Sequence, residues 1–450
     1  MVGCSLRQTD ALCGTLRVPE DPSNPGGRSI DLRVAVIPAV SATPKSDPVF
    51  WLSGGPGGAA TEDFAWTPAT FSTLRVDRDF VLVDQRGTGG SHRLVAPTAQ
   101  PDVSGLSHED AVATIRAWVA ATLAAMDGDP RFYTTSVAMD DLDLVRAALG
   151  YERINLYGVS YGATAAQYYL RQHEQRARTV ILDGATLLDV PILERIAPNT
   201  QRALDLLFDR CERSVACAAA YPDVRDEFAT ALARVTANPA TTAVINLLTS
   251  EPIVVDRSTF AGAVHSFLMK AQTASALPSY IHAAYGGDFD RFAQAIADAT
   301  GEAAEPLVMS VVIRCSEAWA RYQPDEVARL GQNTFEGELQ TEMARSQATG
   351  CGFVPKGIVP ANDADPVRSN VPVLLLVGDS DPQDPPQNVA DAAIEMPQSV
   401  MVVVPGQGHG VGHLGCIPGL MTTFIEAGTV AGLDGRCAAN IATPAFTTYP

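Results

Sequence analysis

The chain has 450 residues, 46% of them hydrophobic and 18% charged, and its 32 basic and 51 acidic residues leave a net charge of −19. That length suits one large domain with an insertion, or two domains, and the charge argues against nucleic acid or an anionic membrane as partner. No apolar stretch long enough to span a bilayer is free of charge, so no transmembrane helix is expected.

In chain order, Thr15-Leu16-Arg17-Val18 and the alternating Ile30, Leu32, Val34 and Val36 flank a turn-rich segment from Pro22 to Gly27. This predicts an antiparallel hairpin at a sheet edge. From Phe50 onward, buried strands alternate with helical segments, which predicts a parallel sheet wound on both faces. The strand Val49–Leu52 runs into Ser53-Gly54-Gly55-Pro56-Gly57-Gly58, and Phe80–Val83 runs into Asp84-Gln85-Arg86-Gly87-Thr88-Gly89-Gly90-Ser91. A buried ion pair is expected for Asp84 and Arg86. The spacing predicts a helix over 137–149, closed by Gly150, then a strand Ile154–Tyr157 and a helix over 163–170. Thr179–Asp183 is another strand. Residues 186–369 break this rhythm. Leu204, Leu207, Phe208 and Cys211 follow helical spacing, as do Val224, Phe228, Leu232 and Val235, with strand signals only at 243–248 and 252–255. They read as a mainly helical cap inserted between the sixth and seventh core-type strands. The division is therefore 1–185 and 370–450 for the core, 186–369 for the cap. Val371–Val377 and Val400–Val404 complete the strands.

Gly158-Val159-Ser160-Tyr161-Gly162 lies between a strand and a helix, the setting in which G-x-S-x-G presents a nucleophile on a strained turn. A serine hydroxyl needs a base, and the base an orienting acid. Both are expected at the carboxyl ends of later strands. Gly378-Asp379-Ser380-Asp381-Pro382 follows one such strand and Gly408-His409-Gly410 the next. Asp381 is preferred over Asp379 and Asp384 as the acid, and His409 over His413 as the base. His409 and His413 are poor metal ligands as a pair, because glycines argue against a helix there and no Glu follows His409. No metal or cofactor is expected. The oxyanion of an acyl-transfer intermediate needs N–H donors. Tyr161 supplies one, and Gly55 or Gly54 the other, with Gly55 favoured; Pro56 has no N–H.

The G-G-P-G-G run at 54–58, the D-Q-R-G-T-G-G-S run at 84–91, Gly158–Thr164, Gly378–Pro382 and Gly408–Gly410 together resemble the prolyl iminopeptidase and tripeptidyl aminopeptidase branch of the α/β-hydrolases. The resemblance covers roughly the first 185 and last 80 residues. It implies an α/β-hydrolase fold, with Ser160, Asp381 and His409 as the triad of a serine hydrolase working through an acyl-enzyme. It also implies that the 84–91 segment braces the site. The branch includes enzymes that release residues from free peptide N-termini and hold the substrate ammonium with a carboxylate. The segment Arg314-Cys315-Ser316-Glu317-Ala318-Trp319 is similar to a Cys-x-Glu segment of that branch, which makes Glu317 the expected substrate-binding acid. A small peptide is the expected substrate. A carboxylesterase acting on small esters is the alternative, and a non-catalytic binding protein a minor one. Oligomeric state is not legible.

The eight cysteines fall into neighbouring pairs, 4/13, 211/217, 315/351 and 416/437, and none forms C-x-x-C. Disulfides would explain this, with connectivity left open, and would imply an oxidising compartment. No signal peptide is visible at Met1-Val2-Gly3-Cys4. A secreted or periplasmic enzyme is therefore expected, its leader not present in this chain.

Overall fold

A strand apolar at every position must be covered on both faces, and Val373-Leu374-Leu375-Leu376-Val377 is one. Val373, Leu375 and Val377 enter one core, Leu374 and Leu376 another. The computed structural model describes residues 1–64, 71–98, 101, 108–246, 250–301, 308–317 and 320–448. Its strands are β1 (Val2–Leu6), β2 (Thr9–Pro19), β3 (Ser29–Ile37), β4 (Val49–Leu52), β5 (Phe80–Val83), β6 (Ile154–Val159), β7 (Ala177–Asp183), β8 (Ala240–Ile245), β9 (Pro252–Val255), β10 (Val373–Gly378) and β11 (Ser399–Val404). Nine of them form one sheet in the order β1-β2-β3-β5-β4-β6-β7-β10-β11. The β1-β2-β3-β5 pairings are antiparallel and the rest parallel. Helices Thr135–Ala148 and Tyr161–His173 cover one face, and helix Ile417–Ala427 covers the other. This is the expected α/β class, a mostly parallel sheet flanked by helices.

The predicted hairpin forms, with Val18 opposite Ile30 and Leu16 opposite Leu32. It is not the sheet edge, however. The edge strand is β1, whose residues are mostly exposed and which therefore carries no apolar alternation to read. With β1 counted, the long insertion follows the seventh strand of the sheet, not the sixth.

Between β7 and β10 the described residues are mainly helical, and many of them share a second core. Leu204, Leu207, Phe208 and Cys211 of helix Ile192–Arg213 pack there with Val224, Phe228 and Val235 of helix Val224–Ala237. β8 and β9 pair antiparallel beside them; residues 247 and 248 of the predicted strand lie outside the described residues. Later in the insertion, Val308, Met309, Val312 and Ile313 join the main core instead.

The expected pairing of Asp84 with Arg86 does not occur. Arg86 grips Asp141 with two bonds, Nε–Oδ2 at 2.7 Å and Nη2–Oδ1 at 2.8 Å. Asp84 accepts instead from the Thr61 and Gly90 N–H groups and the Thr61 hydroxyl. Both residues lie in the loop beyond the end of β5 at Val83, where strand alternation no longer sets their directions, and each finds its own partner. The cysteines bond as neighbours: Cys4–Cys13, Cys211–Cys217, Cys315–Cys351 and Cys416–Cys437. No helix among the described residues is long and apolar enough to cross a membrane.

Candidate active site

Ser160 stands between β6 and helix Tyr161–His173 at φ 58°, ψ −126°. A non-glycine residue at positive φ is strained and persists only where its surroundings over-determine it. The flanking glycines supply that constraint. A Cβ on Gly158 would lie 2.2 Å from the Gly162 carbonyl oxygen, and one on Gly162 would lie 2.2 Å from that of Leu52. The Ser160 N–H is held by the Asp183 carbonyl at 2.9 Å.

The glycine loop after β4 closes on the same turn. A Cβ on Gly54 would lie 3.3 Å from that of Ser160, so only glycine permits this approach without displacement. Gly55 adopts φ 121° and Gly58 N–H bonds back to Gly54 at 3.1 Å. Ser53 of this loop is tied to Asp63 through its hydroxyl. Gly54 thus lies against Ser160, with Gly55 next to it in the chain and Tyr161 next to Ser160.

His409 follows β11 and its Nδ1 lies 2.8 Å from Asp381 Oδ2. Of the acids considered, Asp381 makes this bond. Asp379 instead accepts the Gly406 N–H at 2.6 Å, while Asp384 Oδ2 lies 3.6 Å from Nδ1. The other Asp381 oxygen accepts N–H bonds from Gln383 at 2.8 Å and Asp384 at 2.9 Å. The His409 N–H bonds to Met269 of the helical insertion at 2.7 Å. Gly184, next to Asp183, packs so closely that a Cβ there would lie 3.1 Å from Nδ1 and Cε1 of His409. This sets the imidazole beside the Ser160 turn. His409 Nε2 is buried and has no hydrogen-bond partner among the described residues.

Burial opposes protonation of His409, but Asp381 above all, then Asp384 and Asp183, outweighs it and pushes the imidazole up to about 9. Burial also works to raise the Asp381 carboxyl, yet His409 and the two loop N–H groups bring it below the ordinary range. Asp384 is pushed up to about 6 by burial, with the Asp381 charge adding to the rise. Asp381, Asp384 and His409 also lie close enough to hold a cation. Their facing atoms are already engaged, however. Asp384 accepts from Thr186 Oγ1 and Gln383 Nε2, and both Asp381 oxygens accept N–H bonds. A cation would have to displace those protons.

Glu317 is buried, 1% exposed. Its Oε1 accepts the Thr135 N–H at 2.6 Å, and Oε2 is buried without a partner among the described residues. Thr135 Oγ1 is 2.6 Å from the Tyr161 hydroxyl, which also donates to Gln85 at 3.2 Å. Glu317 therefore connects through Thr135 to the residue after Ser160. Burial pushes its carboxyl up to about 8. Ala318 and Trp319 lie outside the described residues.

Asp183 is a site residue that sequence reasoning passed over. It is 1% exposed and accepts from the Tyr157 hydroxyl and the Val411 and Gly412 N–H groups, at 2.6, 2.8 and 2.7 Å. It thereby ties the histidine loop to β7. An acid ending the apolar run Val180-Ile181-Leu182 was its visible signal.

A serine on a strained strand-to-helix turn, with an acid–imidazole pair from two later strand ends, defines the α/β-hydrolase class of fold. The family model described as alpha/beta hydrolase fold matches residues 47–415, and the chain belongs to that family. It is 29% identical to serine protease Hip1 of Mycobacterium tuberculosis over 231 residues, 46% of this chain and 42% of that protein. It is 28% identical to a tripeptidyl aminopeptidase of Streptomyces lividans over 187 residues, 38% of this chain and 35% of that one. The matches span less than half the length of these curated relatives. Among solved structures, proline iminopeptidase of Mycobacterium smegmatis aligns over 93% of this chain and 99% of its own, at 16% identity and a TM-score of 0.43.

Proposed function

We propose that this chain is a serine hydrolase that works through an acyl-enzyme and releases residues or short peptides from free peptide N-termini. The observation that carries the hydrolase reading is the Asp381–His409 bond at 2.8 Å, with the imidazole set beside the strained Ser160 turn. Ser160 Oγ attacks the carbonyl carbon while its proton passes to His409 Nε2. The Gly55 and Tyr161 N–H groups stabilise the resulting oxyanion. Collapse of this intermediate breaks the C–N bond, and Nε2 returns the proton to the leaving amine. Water, losing a proton to Nε2, then adds to the acyl carbon; Ser160 leaves with that proton, and the acid is released. Asp381 holds the tautomer with Nδ1–H and stabilises the imidazolium. The helical insertion acts as a cap, touching the acid loop through Asn199 and Thr200 and the histidine loop through Met269. The four disulfides favour a secreted or periplasmic setting.

The exopeptidase reading rests on Glu317, whose second oxygen has no partner among the described residues and is available to a substrate ammonium, and on the likeness to a tripeptidyl aminopeptidase. The test compares free-amine peptidyl amides of one to three residues, their N-blocked forms and a short-chain ester. Cleavage of the amides is expected to be lost on blocking. Glu317→Gln is expected to raise KM for free-amine substrates by tenfold or more, about 1.4 kcal/mol, while sparing the ester. Equal losses on amide and ester would reject the clamp. Ester cleavage alone would make the protein a carboxylesterase.

A further inference from the structure

The acid loop brings two carboxylates to His409, and the mechanism above uses one. Asp384 is 2% exposed, and its Oδ2 lies 3.6 Å from Nδ1. That is too long for a hydrogen bond but within ion-pair reach. Its orientation is built. Thr186 Oγ1, from the segment after β7, donates to Oδ1, and Gln383 Nε2 donates to Oδ2 at 3.1 Å. Asn388 Nδ2 fixes the Thr186 hydroxyl at 2.7 Å, and the Asp384 N–H fixes Asp381. A buried carboxylate aimed at a paired imidazole is costly unless it shares the charge there.

We propose that Asp384 is a second carboxylate partner of His409, a positioning residue that shares the imidazolium charge with Asp381 and receives Nδ1–H when Asp381 is lost. This rests on the hydrolase reading for its kinetic consequences, but not for its effect on the imidazole. The groups bearing on His409 are Asp381 and Asp384 from the acid loop and Asp183 from β7; Lys270 lines a shared cavity with it, and Arg202 faces the acid loop from the helical insertion. An ionised Asp384, 3.6 Å from Nδ1 on the side of the imidazole already acidic, favours the protonated ring. Neutralising it must lower the affinity of His409 for its proton.

The experiment titrates the His409 ring by NMR in Ser160→Ala and in Ser160→Ala/Asp384→Asn, so that no turnover is needed. The pKa is expected to fall by about one unit in the second protein, as for a charge removed within 4–6 Å. In the enzymes carrying Ser160, Asp384→Asn should move the acid limb of kcat/KM to lower pH by the same amount. Thr186→Val, which removes one donor to the Asp384 carboxylate, should move it the same way and serves if Asp384→Asn does not fold. Asp381→Asn should retain about tenfold or more activity over Asp381→Asn/Asp384→Asn, against the roughly 10⁴-fold loss expected where one acid serves alone. A His409 pKa unmoved by both Asp384→Asn and Thr186→Val would overturn the proposal. A pKa that moves in a protein without hydrolase activity would leave it standing and reject the hydrolase reading.

Discussion

Ser160→Ala is expected to lower kcat by about 10⁶, the loss seen when a triad nucleophile is removed while the oxyanion donors remain. The fold should be unaffected. Among the described residues the turn is held by the backbone of Ser160, through Asp183 and Ala163, and not by its side chain. Alanine fits the same space, and the strain at φ 58° stays. KM should change little, because the hydroxyl contributes to the transition state rather than to substrate binding. In the wild type, kcat/KM should rise with pH as His409 loses its proton, since only the neutral ring can accept the serine proton. The carboxylates around it place that rise above the ordinary imidazole range, toward about 9. Rates measured from pH 5 to 10 check the limb. A Ser160→Ala enzyme within tenfold of the wild type would mean that the nucleophile lies elsewhere.

Arg86→Ala is expected to have the largest effect on stability. Arg86 is fully buried, and its guanidinium serves Asp141 together with the carbonyls of Glu20 at 2.8 Å, Phe132 at 3.0 Å and Pro19 at 3.3 Å. Removing it strands a buried carboxylate, which costs about 3–5 kcal/mol. Replacing both partners by apolar residues, as in Arg86→Met/Asp141→Leu, should cost less, because no orphan charge remains. Urea unfolding of the three proteins distinguishes these outcomes. Arg86→Ala should also impair turnover. Asp141 sits on helix Thr135–Ala148, whose first residue meets Glu317 and Tyr161. A loss of under 1 kcal/mol in Arg86→Ala would contradict this account of the D-Q-R-G segment.

The contrast between Ser160 and Arg86 shows what could be read in advance. The nucleophile turn, the glycine loop and the acid and histidine loops are each local: an apolar run, then a short polar or glycine-rich loop. Hydrophobic periodicity places the strands, and the loops fall at their ends. The acid loop as a whole follows because the loop after β10 must face the loop after β11 in a parallel pair. Partners brought together from afar carry no such signal. Asp141 meets Arg86 across 55 residues, and Thr135 meets Glu317 across 182. The short, exposed β1 has no buried face to set an alternation. Asp381 and Asp384 are both buried acids three positions apart, and only the distances of 2.8 and 3.6 Å to His409 tell their parts from each other.

The most direct measurement of the central claim is covalent capture. The protein is incubated with a fluorophosphonate, which phosphonylates an activated serine, and the adduct is mapped by mass spectrometry of the intact chain and its peptides. The account predicts a single adduct on Ser160, slowed by competing substrate and absent from His409→Ala. Stable absence of any adduct in folded protein, or an adduct on a different serine that tracks with loss of activity, would contradict it.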